Sequence, residues 1–493
     1  MRSRPLYCNG IDAETGGYLF PPTTAGEIAA VARAELADRR EVARLERWLE
    51  RLGPRRRLYQ AGDHGDLARA GWGVVFAAGD PAAPAVREAL GELLAHRRNQ
   101  AGRTHESFYQ EYAGERGYLR GESRLEFLAR HGTGPGAVEP QRMPQYLLLV
   151  GDPEDIPWSF QHDLDVQYAV GRLCFDTPQE YAAYARSVVA AETSPPLRRR
   201  RAVLFAPRHP GDAATGLAAG DLAAPLAERL IQLRPTWEVA TVLGDQATKA
   251  RLAAVIDGEG DAALVFTTGH GLGYPSGHPL QRGRQGALLC QDFPELGRGG
   301  CRVSCEHCFA ADDVGDAARL RGLVTFHFAS YSAGAPALGE YPPAAGAPRT
   351  RVAPRAFLSR LAQRLVGHPR GGALAVVGQV EKAWQLAAEW PGAGRSLQVF
   401  AETLDRLFDG QPVGHAMATL GERYAALATD LAAELEIVRC GVPPDDDTLS
   451  RLWTERNDCR SYVLIGDPAV RLATGIRPEA GVEMDWLPGT VVN

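Results

Sequence analysis

A histidine and a serine each follow an apolar run that has the composition of a buried strand. His270 lies between two glycines in LVFTTGHG, residues 264–271, and Ser330 follows LVTFHFA, residues 323–329. An imidazole can act as a general base and a hydroxyl as a nucleophile, so the two residue types suit nucleophilic catalysis. Consecutive parallel strands end at the same edge of a sheet. The sequence therefore predicts that these two side chains lie near each other.

The elements that must position these residues alternate along the chain between apolar runs and stretches with helical periodicity. This alternation predicts an α/β fold with a mainly parallel sheet flanked by helices. The predicted strands are Trp72–Ala77, Tyr146–Val150, Ala202–Ala206, Ala262–Thr267, Leu323–Ala329, Ala373–Val377 and Tyr462–Ile465. The predicted helices are Glu27–Arg51, Gln179–Ala191, Pro225–Leu233, Leu397–Leu407 and His415–Ala433. Because each strand is almost continuously apolar, both faces of the sheet should be covered.

The segment ETSPPLRRRR, residues 192–201, has the composition of a linker between two lobes. It predicts an N-terminal α/β lobe, residues 1–195, that supports the site. The second lobe, residues 196–493, then carries His270 and Ser330. Residues 99–145, which are rich in glycine and charge, are predicted to be a long surface excursion.

Composition describes an ordinary globular protein of 493 residues, with 45% hydrophobic and 23% charged residues. The net charge of −6 argues against a nucleic-acid partner. No run of 18 apolar residues occurs, so we expect no contact with a membrane. The first twenty residues lack a continuous apolar segment, and eight cysteines are too few for a disulfide scaffold. Both features lead us to expect a cytoplasmic protein with free thiols.

The strand that ends in Thr-Gly-His-Gly, followed by a strand that ends in a nucleophile among small residues, resembles the caspase-like cysteine peptidases. The gingipain branch is the part of that family that it resembles most. YLLLVGDPEDIP with VQYAVGRL is similar to the first lobe of that branch, and SYVLIGDPAVRL is similar to its closing strand. The resemblance covers roughly residues 145–472. It implies a caspase/gingipain-like three-layer fold, endopeptidase activity on a peptide or protein substrate, and no cofactor or metal.

The resemblance also implies a His–Cys dyad, in which His270 is the general base and position 330 holds the nucleophile. The family pattern has cysteine at that position, whereas this chain has Ser330. A thiol is readily ionised by a nearby imidazole, whereas a hydroxyl needs a well-oriented base as it attacks. Three interpretations stay open: an engineered, inactivating substitution, a natural serine enzyme, and a natural pseudoenzyme that binds peptides or assembles with partners. A cytoplasmic peptidase must also be restrained, so we expect an activating partner, an effector or a processing cut.

The remaining catalytic groups are predicted around the dyad. The backbone N–H groups of Gly271 and Ser330 would form the oxyanion hole. Asp165 is the preferred residue to orient the His270 ring, because alternation along a predicted strand over residues 163–167 places its polar side chains on one face.

Three residues are candidates for a substrate pocket. The resemblance places a specificity region near VVGQVEKAW, where Glu381 and Trp384 would supply an acid and an aromatic wall. Asp176 is a second acidic candidate. An acidic pocket favours arginine or lysine before the scissile bond, whereas caspase relatives choose aspartate and would need arginines in the pocket. We therefore expect a preference for a basic residue at that position.

Two other constellations compete with this interpretation. Ser330-Tyr331-Ser332-Ala333-Gly334 resembles the G-x-S-x-G elbow of α/β-hydrolases, which would make Ser332 an esterase nucleophile with His368 or His415 as its base. That elbow must run directly into a helix, and the proline-rich residues after Ala335 argue against one. Four cysteines and a histidine could also bind zinc, although their C-x3-C-x2-C spacing is not standard and free thiols are favoured. These residues are Cys290, Cys301, Cys305, Cys308 and His307.

Overall fold

The computed structural model describes residues 5–37, 65–195, 197–294, 301–384 and 394–475. Its strands are β1 Gly10–Asp12, β2 Trp72–Phe76, β3 Tyr109–Tyr112, β4 Tyr146–Val150, β5 Ala169–Leu173, β6 Arg199–Ala206, β7 Glu238–Leu243, β8 Ala262–Thr268, β9 Gly271–Gly273, β10 Leu288–Leu289, β11 Cys308–Phe309, β12 Val324–Phe328, β13 Gly334–Ala335, β14 Phe357–Leu358, β15 Ala375–Gln379 and β16 Tyr462–Gly466. Its α-helices are α1 Ala25–Ala37, α2 Leu67–Ala70, α3 Ala83–Ala89, α4 Gly91–Ala101, α5 Arg124–Arg130, α6 Trp158–Asp165, α7 Pro178–Thr193, α8 Ala213–Leu217, α9 Ala224–Leu233, α10 Lys249–Ile256, α11 Gln281–Arg284, α12 Arg360–Val366, α13 Gly394–Phe408, α14 Val413–Arg439 and α15 Asp446–Ser461.

The main sheet has ten strands in the order β3-β2-β4-β5-β16-β15-β12-β8-β6-β7. Neighbouring strands are parallel, except that β15 and β16 pair antiparallel. The two halves of the sheet therefore run in opposite directions. The carboxyl ends of β6, β8, β12 and β15 share one edge, which we call the His270 edge. The predicted α/β fold with a mainly parallel sheet is confirmed.

A smaller sheet in the order β1-β9-β10-β11 lies beyond the His270 edge. In it the N-terminal strand β1 pairs in parallel with β9, with Gly10 opposite Gly271. Residues near the start of the chain thus lie against the second half of the molecule. The strands that precede residue 195 join the rest of the main sheet through the pairing of β5 with β16, within one continuous sheet. The lobe boundary near residue 195 stays a prediction.

All seven predicted strands are present, with shifts of a few residues at their ends. Four predicted helices are also confirmed, as α7, α9, α13 and α14. The predicted helix Glu27–Arg51 overlaps α1, and its part beyond Ala37 lies outside the described residues.

Two predictions about local structure were wrong. The predicted excursion over residues 99–145 contains the edge strand β3 and the helix α5, because a four-residue strand between charged turns is too short for its pattern to be read. The predicted strand over residues 163–167 is instead the end of α6. Its buried Phe160, Gln161 and Leu164 recur at helical spacing, and that packing outweighs a short alternating pattern.

The core lies on both faces of the main sheet. Strands β2, β4, β5, β8, β12, β15 and β16 are buried at every position. Helices cover both faces, as expected for near-continuous apolar strands. Among the helices that the structure describes, none is long and apolar enough to cross a bilayer.

A buried ion-pair network ties helix α4 to the turn after the closing strand β16. Nε of Arg97 donates to Asp467 at 2.6 Å, and its Nη2 donates to Glu192 at 2.6 Å. The Arg97 side chain is 1% exposed and that of Asp467 is fully buried. Among the described ion pairs Arg97 is the partner of Asp467, and the Asp467 charge needs it because a buried charge needs a partner.

We expect Arg97→Ala to lower the free energy of unfolding by about 3–5 kcal/mol, because it leaves Asp467 buried and uncompensated. Urea denaturation of the full chain measures this. The matched control is Arg98→Ala, whose side chain is 57% exposed where it pairs with Glu111. An exposed pair contributes at most about 1 kcal/mol. Equal losses in the two variants would contradict the prediction.

Candidate active site

His270 and Ser330 lie at the same edge of the main sheet, as their positions after consecutive strands predict. Strands β8 and β12 are parallel neighbours, with Thr268 opposite Phe328. The N–H of Gly269 donates to the carbonyl of Phe328 at 3.1 Å, so the two chains are still held together where they leave the sheet. The side chains of His270 and Ser330 are both buried.

The imidazole of His270 is paired with Asp212. This residue follows β6, which is the neighbour of β8 in the main sheet. Nε2 of His270 is 2.9 Å from Oδ2 of Asp212, and both side chains are fully buried. Asp212 also caps helix α8 by accepting from the N–H of Thr215 at 2.9 Å and from its hydroxyl at 2.6 Å. The hydroxyl of Tyr18 donates to the other carboxylate oxygen. Four donors thus fix this carboxylate.

These contacts keep Asp212 ionised. Burial alone would raise its pKa, but the attraction of His270 and the hydrogen bonds from His270, Thr215 and Tyr18 lower it well below the usual range. Burial and the neighbouring carboxylate raise the pKa of Tyr18, which therefore remains a hydroxyl donor. Nδ1 of His270 is buried and has no hydrogen-bond partner among the described residues. The pair therefore presents an oriented ring with one free nitrogen.

Asp165, which the sequence predicted as the orienting residue, lies elsewhere. It is the last residue of α6, and its Oδ1 accepts from the N–H of Val170 at 3.2 Å. Burial raises its pKa well above the usual value, so it is a poor partner for a cation. The prediction assumed that residues 163–167 form a strand, whereas Asp165 lies in a helix. Asp212 was missed, although it follows the predicted strand Ala202–Ala206, whose carboxyl end had to lie at this same edge.

Two backbone N–H groups converge on one carbonyl oxygen beside Ser330. The N–H groups of Gly271 and Ser330 both donate to the carbonyl of Asn9, each at a distance of 3.3 Å. These are the two groups that the sequence predicted for an oxyanion hole. A Cβ on Gly271 would lie 1.9 Å from the carbonyl oxygen of Ser330, so only glycine permits this approach.

We expect Gly271→Ala to lower the free energy of unfolding by about 1–3 kcal/mol, because the added methyl group forces the two turns apart. Thermal or urea denaturation measures this. The control is Gly283→Ala, where a Cβ would meet nothing within 4 Å. A Gly271→Ala chain as stable as that control would show that the two turns separate without cost.

The N-terminal segment completes the enclosure of Ser330. The N–H of Asn9 donates to the carbonyl of Ala383 at 2.7 Å, and the N–H of Ala383 donates to Oγ of Ser330 at 2.9 Å. Sγ of Cys8 lies 4.0 Å from the same Oγ. Burial raises the pKa of Cys8 to about 12, so its thiol stays protonated. Nothing in the first seventy residues of the sequence indicated this placement.

Glu381, one of the predicted pocket residues, lies near Ser330, but its carboxylate is already engaged. It accepts from the hydroxyl of Tyr331 at 3.3 Å, the N–H of Glu340 at 2.8 Å and the N–H of Lys382 at 3.0 Å. Burial raises its pKa. A carboxylate with three donors inside the protein is poorly suited to receive an arginine or lysine side chain.

Trp384 and Asp176, the other two predicted pocket residues, are occupied in different ways. The Trp384 ring packs edge-on against Phe20, Tyr341 and Trp453. Asp176 follows the carboxyl end of β5, at the edge opposite His270, and pairs with Arg360 at 2.8 Å. The structure therefore brings Glu381 and Trp384 close to the site, but not Asp176.

Ser332 is used by the backbone. Its hydroxyl donates to the carbonyl of His327 at 3.3 Å and accepts from the N–H of Gln379 at 3.0 Å. The strand β13 follows it, where a nucleophile elbow needs a helix. Of the two histidines predicted as its base, His368 bonds to the carbonyl of Gly315 and His415 lies in the first turn of α14. These contacts do not favour the esterase interpretation.

The cysteines near residue 300 do not converge. Cys290 and Cys308 are buried on β10–β11 or next to it, whereas Cys305 is exposed. Burial raises the pKa of both buried thiols, that of Cys308 to about 11. Within the described parts of the chain, no three His, Cys, Asp or Glu side chains are grouped as metal ligands would be.

Similarity to known proteins appears at the level of solved structures. The Arg-specific cysteine proteinase gingipain R (RGPB) is 13% identical over 82% of this chain and 78% of its own, with a TM-score of 0.48. The complex of Porphyromonas gingivalis RgpB pro- and mature domains is 13% identical over 82% and 79%, with a TM-score of 0.45. A third structure, described only as a protease, is 10% identical over 84% and 79%, with a TM-score of 0.44.

No protein-family model matches the chain, and neither does any curated protein. Because all three TM-scores lie below 0.5, a function for this chain has to rest on its own site geometry.

Proposed function

We propose that this chain has an endopeptidase-type site that binds an extended peptide, with position 330 as the nucleophile. His270 is the general base, Asp212 positions its ring, and the N–H groups of Gly271 and Ser330 form the oxyanion hole. The convergence of those two N–H groups on one peptide carbonyl, beside Ser330 and the His270–Asp212 pair, is the observation that carries the proposal. The resemblance to caspase/gingipain-like peptidases noted in the sequence agrees with this assignment.

The donor distances suit a substrate in its ground state. Each N–H lies 3.3 Å from the Asn9 carbonyl oxygen, whereas donors to a developing oxyanion lie about 2.7–3.1 Å away. The oxygen would approach both donors as the carbonyl carbon becomes tetrahedral. Binding is then stronger in the transition state than in the ground state, which is the condition for catalysis.

The reaction needs only this chain's own groups and water. The nucleophile at position 330 attacks the carbonyl carbon and gives its proton to Nδ1 of His270. Collapse of the tetrahedral intermediate breaks the C–N bond, and His270 returns the proton to the leaving amine. Water, activated by the same nitrogen, then hydrolyses the acyl group and restores the nucleophile. Asp212 stays ionised throughout and stabilises the imidazolium.

A second candidate function is peptide binding without hydrolysis. Oγ of Ser330 accepts from the N–H of Ala383, and no hydrogen bond links it to His270 within the described residues. A serine without a bound general base is a weak nucleophile. The peptide path beside Gly271, Ser330 and Ala383, which we call the groove, would then hold a peptide strand through its backbone contacts alone.

The two candidates differ in one measurement. Peptides with asparagine, arginine, lysine or aspartate before the scissile bond are offered to the chain as it stands, to Ser330→Cys, and to Ser330→Cys with His270→Ala. Hydrolysis by Ser330→Cys alone supports the endopeptidase. Hydrolysis that survives His270→Ala would exclude the proposed base. Binding by every form with hydrolysis by none would favour the binding module.

A further inference from the structure

The N-terminal residues Leu6–Asp12, which we call the inserted segment, run through the proposed active site. We propose that this segment is a built-in substrate-like strand with Asn9 in the position before the scissile bond, and that the site prefers an uncharged side chain such as asparagine there to a basic one. The hydrolytic part of this inference rests on the proposed function. Occupancy of the groove and the preference for an uncharged side chain do not.

Backbone contacts fix the register of the inserted segment at one residue. The carbonyl of Asn9 accepts from both oxyanion-hole donors, and its N–H donates to the carbonyl of Ala383 at 2.7 Å. Because its N–H and its carbonyl are both bound in this way, Asn9 has its carbonyl carbon in the position for attack. The bond that follows it, Asn9–Gly10, is therefore the bond in the reactive position.

The nucleophile lies against this same bond. A Cβ on Gly10 would be 2.9 Å from Oγ of Ser330 and 2.6 Å from a methyl group of Leu19. Glycine is required there, because any larger residue would push the segment away from Ser330. From Gly10 the segment continues as β1, parallel to β9, which holds the leaving side of the peptide.

The surroundings of the Asn9 side chain suit an uncharged residue. The side chain is fully buried, and neither its Oδ1 nor its Nδ2 has a hydrogen-bond partner among the described residues. An unpartnered buried charge would cost far more free energy than this unpartnered amide does. Glu381, the acid predicted to line a pocket for a basic side chain, is satisfied by three other donors. An uncharged amide fits this arrangement better than a guanidinium does.

The inserted segment also closes the site. It forms the first strand of a hairpin in which Leu6 pairs with Thr23 and Ile11 with Tyr18. Tyr18 then bonds to Asp212, which links the hairpin to the His270–Asp212 pair. With His270 and Ser330 both buried, no other peptide can reach them until the segment leaves. The inserted segment would thus supply the restraint, and an activating partner, an effector or a processing cut would have to remove it.

The first test displaces the segment in the full chain. Gly10→Ala introduces the 2.9 Å contact with Ser330, whereas Gly17→Ala in the same hairpin adds a methyl group 3.4 Å from its nearest neighbour. Fluorescence polarisation follows a labelled peptide of residues 5–12 and its counterpart with arginine in place of the asparagine. We expect Gly10→Ala to bind the asparagine peptide at least about tenfold more tightly than the unaltered chain and Gly17→Ala do. The arginine peptide should bind Gly10→Ala about tenfold more weakly than the asparagine peptide. Equal binding by both glycine variants, or of both peptides, would overturn the proposal.

The second test asks whether the Asn9–Gly10 bond is cut. With cysteine at position 330, attack, C–N cleavage and hydrolysis leave a carboxylate on Asn9 and an amine on Gly10. N-terminal sequencing of Ser330→Cys should read GIDAE, and the chain that also carries Asn99→Arg, at an exposed asparagine, should read the same. Asn9→Arg should abolish this cut.

The two proposals fail in different ways. If Ser330→Cys hydrolyses added peptides but leaves Asn9–Gly10 intact and shows no preference for asparagine, the inserted-segment proposal fails and the endopeptidase stands. If no form hydrolyses any peptide while Gly10→Ala binds the asparagine peptide selectively, the endopeptidase fails. Occupancy of the groove by the inserted segment then stands.

Discussion

Replacing Ser330 by cysteine is expected to raise kcat/KM for peptide hydrolysis by about a hundredfold or more, which is about 2.7 kcal/mol of transition-state stabilisation. A thiol ionises far more readily than a hydroxyl and attacks as the thiolate. Nδ1 of His270 has no partner among the described residues and is free to take the thiol proton. The N–H of Ala383, now 2.9 Å from Oγ, would donate to the sulfur anion. The measurement is made with and without Gly10→Ala, so that occupancy by the inserted segment does not hide the activity.

Ser332→Cys is the matched control for this replacement. Ser332 is also buried and lies two residues further along, but its hydroxyl bonds only to backbone groups of His327 and Gln379 among the contacts described. We expect a cysteine there to leave hydrolysis unchanged. A gain at position 332 that equals the gain at position 330 would contradict the assignment of the nucleophile.

The second large effect is expected from Asp212→Asn in the Ser330→Cys chain, where kcat should fall by about 10²–10⁴-fold. An amide carries no negative charge. It therefore does not fix the orientation of the His270 ring as a carboxylate does, and it does not stabilise the imidazolium. Asp212 contacts the imidazole and not the peptide, so KM should change little. Asp316→Asn is the control, since its side chain is 94% exposed. A rise in KM alone, with kcat preserved, would contradict a positioning role.

The same carboxylate gives a pH dependence of known sign. The pKa of Asp212 is lowered in the folded chain, so its stabilisation is complete above the unfolded value of about 4 and is lost as the pH falls through the folded value. We therefore expect the difference in unfolding free energy between the parent chain and Asp212→Asn to be largest near neutral pH. It should shrink in strong acid, which urea denaturation at several pH values measures.

The main sheet and the ends of its strands could be predicted from the sequence. Near-continuous apolar runs such as 262–267 and 323–329, rich in β-branched and aromatic residues, predict buried strands of a covered sheet, and the turns after them place His270 and Ser330 at one edge. Glycine at position 271 was also readable, because backbone groups can approach each other closely only where no side chain intervenes. The position of His270 and Ser330 at one edge follows from this local information, whereas their roles in a dyad come from the family resemblance and stay a prediction.

The groups that meet at that edge could not be predicted, because they are brought together by the way distant parts of the chain pack. Asp212 and His270 are 58 positions apart and Cys8 and Ser330 are 322 apart. Neither pairing leaves a periodic signal in the sequence, since each depends on the order in which distant strands join the sheet. Asp165 had the right chemistry but lies at the end of a helix, and its carboxylate caps a neighbouring backbone N–H instead. Asn9 reaches the site because β1 adds to the edge strand β9 through backbone hydrogen bonds, which any residue types can make.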